Sequence, residues 1–326
     1  MIQTLGEKLE KDEKELIEAD KKEQIKGVRE MPVLFEEADG VWLNLQGKDR
    51  KRRHFPKAEM KAAIAYDGWA EEGSGRYRLD GKVVTAGFNK ASDFQKIREA
   101  MIASEYNLDE VQMRFLNGDG ASWIKKIRDK RTVFQLDPFH RNKSIRENLS
   151  HKEAVCDVME LLEKEQIEEM FEYLTVYKDS LTDDTEIEKA ETLLRYFTAN
   201  KEGLLPYQKR GLEIPECPEG LVYKNMGTME NHIWSIIARR MKHNHTSWSI
   251  RGGNHLARIL AKKCSGKLYE ITEQLRIPVF EEAKLEELKG DILQAGQIRK
   301  KIGAGYNYPV AGHMIGLDME SRGDRK

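Results

Sequence analysis

The stretch VQMRFLNGDGASWIKKIRDKRTVFQLD, residues 111–137, decides the fold. An apolar run, VQMRFL, ends at a corner where one aspartate stands between two glycines. A helical pattern, ASWIKKIRDK, comes next, and then a second apolar run, TVFQLD. Strand, corner, helix, strand is the order of an α/β fold. Gly and Asp are ordinary turn residues, so the corner alone reads as a loop. A carboxylate at the end of a buried strand is also where a metal ligand would stand. The bare glycines would let another backbone come close.

Upstream, ASDFQKIREAMIASEY carries Phe94, Ile97, Met101 and Ile102 at helical spacing, with Ser92 as a plausible cap. Before it lie strand-like runs. VLFEEAD and GVWLNLQ come first, with Val41, Leu43 and Leu45 alternating. KAAIAYDGW (61–69) and KVVTAGF (82–88) come after them, separated by glycine-rich and charged turns. This is the pattern of an antiparallel meander. Residues 5–30 read as a charged amphipathic helix or a linker. Downstream of Asp137 a helix is expected from about Arg141. The first 150 residues therefore read as three strands, helix, strand, helix, strand, helix, an α/β fold with a mixed sheet.

Residues 150–212 change character. Val155, Val158, Leu161 and Leu162, then Ile167, Phe171 and Leu174, then Ile187, Leu194 and Phe197, keep a helical period with no strand signal. This predicts an all-helical insertion, followed by an irregular loop around Pro206, Pro215 and Pro218. GTMENHIWSIIARRMKH (227–243) returns to a strong helix. Glu230, Trp234, Ile237 and Met241 form one stripe, which predicts that Glu230 faces inward at the helix's first turn. The chain beyond reads as mostly helical to about Lys301, then as a glycine-rich loose tail. GSG (73–75), GG (252–253) and GAG (303–305) read as turns.

At 326 residues, 39% hydrophobic and 34% charged, the chain can bury a sizeable core and stay polar outside. It holds no run long and apolar enough for a membrane span and opens on no apolar signal region. Cys156, Cys217 and Cys264 are widely spaced and make no disulfide framework or zinc motif, which fits a reducing cytoplasm. No phosphate-binding glycine loop of the G-x-x-x-x-G-K-[ST] kind occurs, so no nucleotide cofactor is expected. The net charge of −1 gives no global vote for nucleic acid. Local runs do: KDRKRRH (48–54), KKIRDKR (125–131), RNKSIR (141–146) and RRMKHNH (239–245) each lie near a candidate acidic residue.

Those acidic residues are Asp39 in FEEADGVW, Asp119 in the glycine corner and Glu230. Singly each reads as a turn, cap or ion-pair residue. In a β-β-β-α-β-α-β-α frame they would converge on one edge of the sheet. Converging carboxylates repel one another unless a hard divalent cation joins them.

The blocks EADGVWLNLQG, NGDGASWI, LDPFHRNK and GTMENHIWSIIARRMKHNHTSWSIRGG resemble the signature blocks of bacterial insertion-sequence DDE transposases. The type is IS-Lre-two, of the Mutator-related group, and the resemblance runs from about Pro32 to about Leu260. It implies a ribonuclease-H-like mixed sheet flanked by helices, with an all-helical insertion before the last catalytic carboxylate. It implies Asp39, Asp119 and Glu230 as the catalytic triad, holding two Mg²⁺ or Mn²⁺ ions. The family's D-x-x-H block matches Asp137 to His140, and His140 would orient a phosphate or strand. Arg141, Lys143, Arg239, Arg240 and Lys242 would meet phosphates. Trp123 and Trp248 are stacking candidates, with core packing the stronger reading of both. The separation of 111 positions from Asp119 to Glu230 leaves room for the helical insertion.

The implied division is a charged segment at 1–30, the first part of the catalytic core at 31–149, the insertion and loop at 150–226, the end of the core at 227–265, and a helical segment with loose tail at 266–326. The implied partner is double-stranded DNA, as element ends and as target, bound by a homo-oligomer without membrane contact, at the bacterial nucleoid. Members of the group carry a longer segment before the first Asp than the 38 residues here, which implies either an N-terminally shortened chain or a minimal module for recognising element ends. Three other readings stand beside this one: a DNA-binding remnant without activity, a non-enzymatic helical interaction protein, and a generic ribonuclease-H-like repair nuclease.

Overall fold

The computed structural model describes residues 2–125, 130–243 and 245–274. The chain divides into two compact units, Met1–Glu273 and Gln274–Lys326, and the sheets and apolar cores of the described residues belong to the first. The helix expected to reach Lys301, the GAG turn at 303–305 and the loose tail lie outside the described residues.

Five strands make the main sheet: β1 (Val33–Asn44), β2 (Lys57–Tyr66), β5 (Val83–Gly87), β6 (Met113–Gly118) and β7 (Thr132–Leu136). Their order is β5-β2-β1-β6-β7. β5, β2 and β1 pair antiparallel, while β1, β6 and β7 run parallel. The mixed sheet is therefore as the order of patterns predicts. Helix α3 (Ala91–Ala103) makes the crossover from the meander to β6. α4 (Ser122–Lys125) begins the second crossover, and residues 126–129 lie outside the described residues.

The two runs VLFEEAD and GVWLNLQ are one strand, not two. Asp39 does not end a strand but sits inside β1, paired with Ala62 of β2. A second sheet of three short strands was not legible in the pattern: β3 (Gly68–Glu71), β4 (Tyr77–Asp80) and β8 (Leu221–Val222), in the order β4-β3-β8.

Side chains alternate across a strand, so β1 feeds two cores. Val33, Phe35, Val41 and Leu43 point to one face. There they meet α9 (Met229–Ile233), a π-helical turn (Trp234–Ala238), α10 (Arg239–Met241) and α11 (Ile250–Cys264). Phe35 is the hub, with the rings of Tyr66, Trp69, Phe115, Tyr207 and Tyr223 all within 5.7 Å of its own. Leu34 and Ala38 point to the other face, toward α3 and α4. α1 (Ile2–Lys21) packs against α11, with Arg258 Nε on Glu13 Oε2 at 2.7 Å.

Three helices come after β7 and α5 (Pro138–Asn148): α6 (Lys152–Glu163), α7 (Ile167–Ser180) and α8 (Asp184–Ala199). They share a separate apolar core built on Val158, Leu162, Met170, Leu174, Leu193 and Phe197. Leu136 and Ile145 belong to that core too, so the helical lobe is continuous with the end of β7 and with α5. α12 (Leu268–Gln274) closes the described chain. The GG pair at 252–253 is not a turn but lies in the first turn of α11, where Ser249 Oγ caps Gly252 N–H. Among the described residues no helix is long and apolar enough to cross a membrane.

Candidate active site

Three carboxylates, Glu36, Glu37 and Asp39, lie buried in the central strand β1. What each touches sets them apart. Glu36 faces α3, where its Oε1 accepts from Arg114 Nε at 2.7 Å. Arg114 also bonds Glu99 at 2.9 Å, and Arg98 completes this buried cluster. Glu37 points the other way, into the start of α9. It accepts from Tyr66 Oη at 2.7 Å, Thr228 Oγ1 at 2.8 Å and Asn117 Nδ2 at 3.3 Å. It also accepts the backbone N–H groups of Gly227, Thr228 and Met229 at 3.1, 2.8 and 3.1 Å. A helix's first N–H groups have no partner inside the helix. Glu37 supplies one from 190 residues away and so clamps α9 to the sheet. Burial pushes its carboxyl up, against the hydrogen bonds from Tyr66 and Thr228.

Asp39 shares Glu37's face, yet among the described residues its one hydrogen bond is from Gly40 N–H to Oδ1, at 2.7 Å. It is 8% exposed. Burial pushes its carboxyl up to about 6. The charges of Asp119 and Glu230 push it the same way, while His140 and the Gly40 N–H oppose them. Asp39 therefore lies within electrostatic reach of both other triad candidates.

The register explains the nearness of Asp119. Ala38 pairs with Gly118 at the last step of the parallel β1–β6 ladder. Asp39 and Asp119 each stand one residue beyond it, side by side at the carboxyl end of β6. In open α/β sheets that edge is where ligands bind. Asp119 Oδ1 accepts from Ala121 N–H at 2.8 Å, which makes the corner an Asx turn.

The glycines of the corner have separate reasons. A Cβ on Gly118 would stand 2.8 Å from Ile124 Cγ2 and 3.1 Å from the Ala38 carbonyl. Gly120 has φ +87°, and a Cβ there would meet the Asn200 amide at 2.5 Å. Gly120→Ala is expected to cost about 1–3 kcal/mol of unfolding free energy, measured by urea unfolding. A cost near zero would mean that the corner relaxes freely. The helical lobe rests on this corner, with Tyr196 Oη donating to the Asp119 carbonyl at 2.8 Å.

β7 delivers the next pair. Asp137 caps α5, which starts at Pro138 rather than near Arg141. Its Oδ2 accepts both the backbone N–H and Nδ1 of His140 at 3.1 Å, and its Oδ1 accepts from Asn117 at 2.7 Å. Burial pushes Asp137 up, but these bonds win and hold it below the usual carboxylate range. His140 moves the other way. The Asp137 bond raises it, burial opposes, and the charges of Asp39, Asp137 and Asp119 add to the rise. His140 stands in the first turn of α5, and these carboxylates favour its charged form. An open cleft of about 330 Å³ adjoins it, lined by Asp119, His140, Lys143, Ser144, Glu147 and Tyr196.

Glu230 corrects the sequence pattern. The helix does not present Glu230, Trp234, Ile237 and Met241 as one buried stripe. Glu230 is exposed and Trp234 is 51% exposed, while Met229, Ile233, Ile236, Ile237 and Met241 are buried. The π-helical turn at Trp234–Ala238 is the cause. It widens the winding and shifts the apolar face, as π-bulges do, frequently at functional sites. Glu230 thus stands at the surface of its helix, one residue past the Glu37 clamp.

The proposed phosphate contacts divide. Lys143, Arg239, Arg240 and Lys242 are exposed. Arg141 is half-buried, its guanidinium bound to the Leu204 carbonyl at 2.7 Å and to Asn142 at 3.1 Å. Trp123 and Trp248 pack inward as expected. Trp123 donates to Glu59 at 3.2 Å and meets Phe94 edge-on, and Trp248 donates to the Met241 carbonyl at 2.8 Å. The exposed indoles are Trp42 and Trp234, neither of which the sequence pattern marks as a stacking candidate.

Among the described residues no three His, Cys, Asp or Glu side chains are already gathered into a metal cage. The arrangement is an open one. Asp39 feels the charges of Asp119 and Glu230 without the three being joined. That suits a hard cation that takes one or two carboxylates and completes its shell with substrate phosphate oxygens.

Similar proteins share the chain's length unevenly. Two proteins of Caldanaerobacter subterraneus subsp. tengcongensis, both UPF0236 proteins, are each 26% identical to it over 267 residues. The match covers 79% of this chain and 52% of each of them. A third from the same organism, also 26% identical, is covered to 50%. The chain thus spans about half the length of the curated relatives it matches. The sequence profile of the uncharacterised protein family UPF0236 matches residues 8–275, and the chain belongs to that family.

Proposed function

We propose that this sheet is a ribonuclease-H-like core and that the chain is a DDE transposase, cutting and rejoining DNA at Asp39, Asp119 and Glu230. One observation carries the reading. Of three carboxylates buried in β1, Glu36 is matched by arginines and Glu37 by a ring of donors, while Asp39 is left with a single N–H beside two further carboxylates. Burying an unmatched carboxylate is costly, and such groups cluster at functional sites.

A divalent cation fits this donor set, because it would offset both the burial of Asp39 and the mutual repulsion. When bound, two such ions would supply an activated attacking oxygen and a stabilised leaving oxygen at phosphorus. The chain's own part is to hold the carboxylates at one sheet edge. Asp137 holds His140 and favours its charged form, which would orient a phosphate oxygen. Lys143, Arg239, Arg240 and Lys242 would line up the DNA backbone. Cleavage would free a 3′-hydroxyl, which would then attack target DNA. The relatives lend support of another kind: one is named for eleven separate loci of its genome, and another for four. Dispersed copies of one protein are what an insertion sequence leaves behind.

The test is thermal unfolding with millimolar Mn²⁺. A ligand present at about 100 times its Kd stabilises the native state by about 2.7 kcal/mol. For a domain of this size that is a rise in Tm of roughly 5–10 °C. Wild type should show it, and Asp119→Asn and Glu230→Gln should each lose most of it. If wild type does not respond, or both variants respond like it, the three carboxylates do not share a metal site and the reading fails.

A further inference from the structure

The connection between β1 and β2 carries a surface that the carboxylate site does not use. Lys48, Arg50, Lys51, Arg52, Arg53 and Lys57 are all exposed. The acid among them, Asp49, is already engaged, its Oδ2 accepting the Ile250 N–H at 2.8 Å. Among the described residues none of these six cations is paired with a carboxylate. Elsewhere surface lysines do pair, as Lys8 with Asp12 and Lys164 with Glu160.

Two aromatic rings stand at the base of this cationic loop. Trp42 is 53% exposed and Phe55 is 56% exposed, and the rings meet edge-to-face with centroids 5.9 Å apart. Large aromatics are normally buried, and this pair has no core beneath it to explain it. The base of the loop is rigid. Leu45 N–H donates to the Pro56 carbonyl, Gln46 N–H to the Trp248 carbonyl and Trp248 N–H to the Asn44 carbonyl, each at 2.9 Å. Trp42 is three positions on from Asp39, roughly 10 Å along the strand and on the opposite face of the sheet.

Unpaired cations beside exposed aromatic rings are the chemistry of single-stranded nucleic acid binding: the cations track phosphates and the rings stack on bases. We propose that the β1–β2 hairpin binds an unpaired DNA strand, with Lys48 to Arg53 on its phosphates and Trp42 and Phe55 against its bases. This rests on the reading above for DNA as the partner. It adds to that reading a surface for DNA that is unpaired.

The test measures binding of a fluorescein-labelled 20-nucleotide single strand and of the matching duplex by anisotropy, in EDTA, across a salt series. Removing four contacts with R50A/K51A/R52A/R53A should flatten the log–log salt dependence on the single strand by about 3. W42A/F55A should weaken the single strand at least tenfold, since base stacking on a ring is worth about 1–3 kcal/mol, and weaken the duplex less than threefold. Circular dichroism melts check that both variants fold. A quadruple variant with the wild-type salt slope overturns the proposal, as does an aromatic variant that leaves the preference between strand and duplex unchanged, or wild type that binds neither DNA. No metal is present, so the carboxylates are not tested. Hairpin-dependent binding without any Mn²⁺ response would sink the transposase reading and keep this one, and the converse would do the reverse.

Discussion

Asp39→Asn is expected to make the metal-free protein more stable while removing its chemistry. The sign comes from linkage. The folded carboxyl titrates at about 6, above the 3.8 of a free aspartate. Between those values the folded state holds more protons than the unfolded one, so stability falls as pH rises from about 4 to about 6. Above about 6 the full penalty is present, up to about 3 kcal/mol. Asn carries no charge, can still accept the Gly40 N–H through its oxygen, and escapes the penalty. At pH 7.5 in EDTA the variant should melt a few degrees above wild type, and at pH 4 the two should melt together. Millimolar Mn²⁺ should reverse the order at pH 7.5 by stabilising only wild type. DNA cleavage should drop at least ~1000-fold, since the charge stabilisation at such a site is worth several kcal/mol. A variant that melts below wild type at pH 7.5 in EDTA would mean that Asp39 is an ordinary structural carboxylate.

Glu37→Ala should do the opposite, and by more. Glu37 collects three backbone N–H groups, the Tyr66 and Thr228 hydroxyls and the Asn117 amide. Each buried donor left without a partner costs about 1–3 kcal/mol. Some donors will find water once the start of α9 loosens, so the expected loss is about 4 kcal/mol or more, roughly 8–16 °C in Tm. Glu37→Gln recovers little, because its amide nitrogen would face N–H donors. Glu230 comes one residue after the clamp, so Mn²⁺ binding should weaken in whatever folded protein remains. Urea unfolding of Glu37→Ala within 1 kcal/mol of wild type would show that α9 is held by its apolar face alone.

The sheet was legible because its five strands and their crossover helices have distinct periods, and the glycine corner marks where β6 stops. β3, β4 and β8 were not, because strands of two to four residues carry too little pattern to stand out from turns. FEEADG reads as a broken strand because three carboxylates in a row of side chains look unburiable. The sequence nearby cannot display the partners that make them buriable: Arg114, Tyr66 and Thr228 lie 78, 29 and 191 residues away. For the same reason Glu37 left no local signal as a clamp. Asp39, Asp119 and Glu230 were read as a set through blocks of sequence rather than through geometry, and the structure places Asp39 within reach of the charges of the other two. The outward turn of Glu230 was hidden because a π-helical turn obeys no 3.6-residue stripe. Arg141 looked like its basic neighbours, and only the fold directs it to the Leu204 carbonyl.

Glu37 and Asp39 are two residues apart on one face of one strand, and they would age differently. In a gene copy released from selection, a change at position 39 leaves a chain that folds as well as before or better. A change at position 37 leaves one that unfolds and is degraded. Silenced copies would therefore persist in the cell as folded proteins. Among decayed copies that still yield protein, Asp39 should be lost before Glu37.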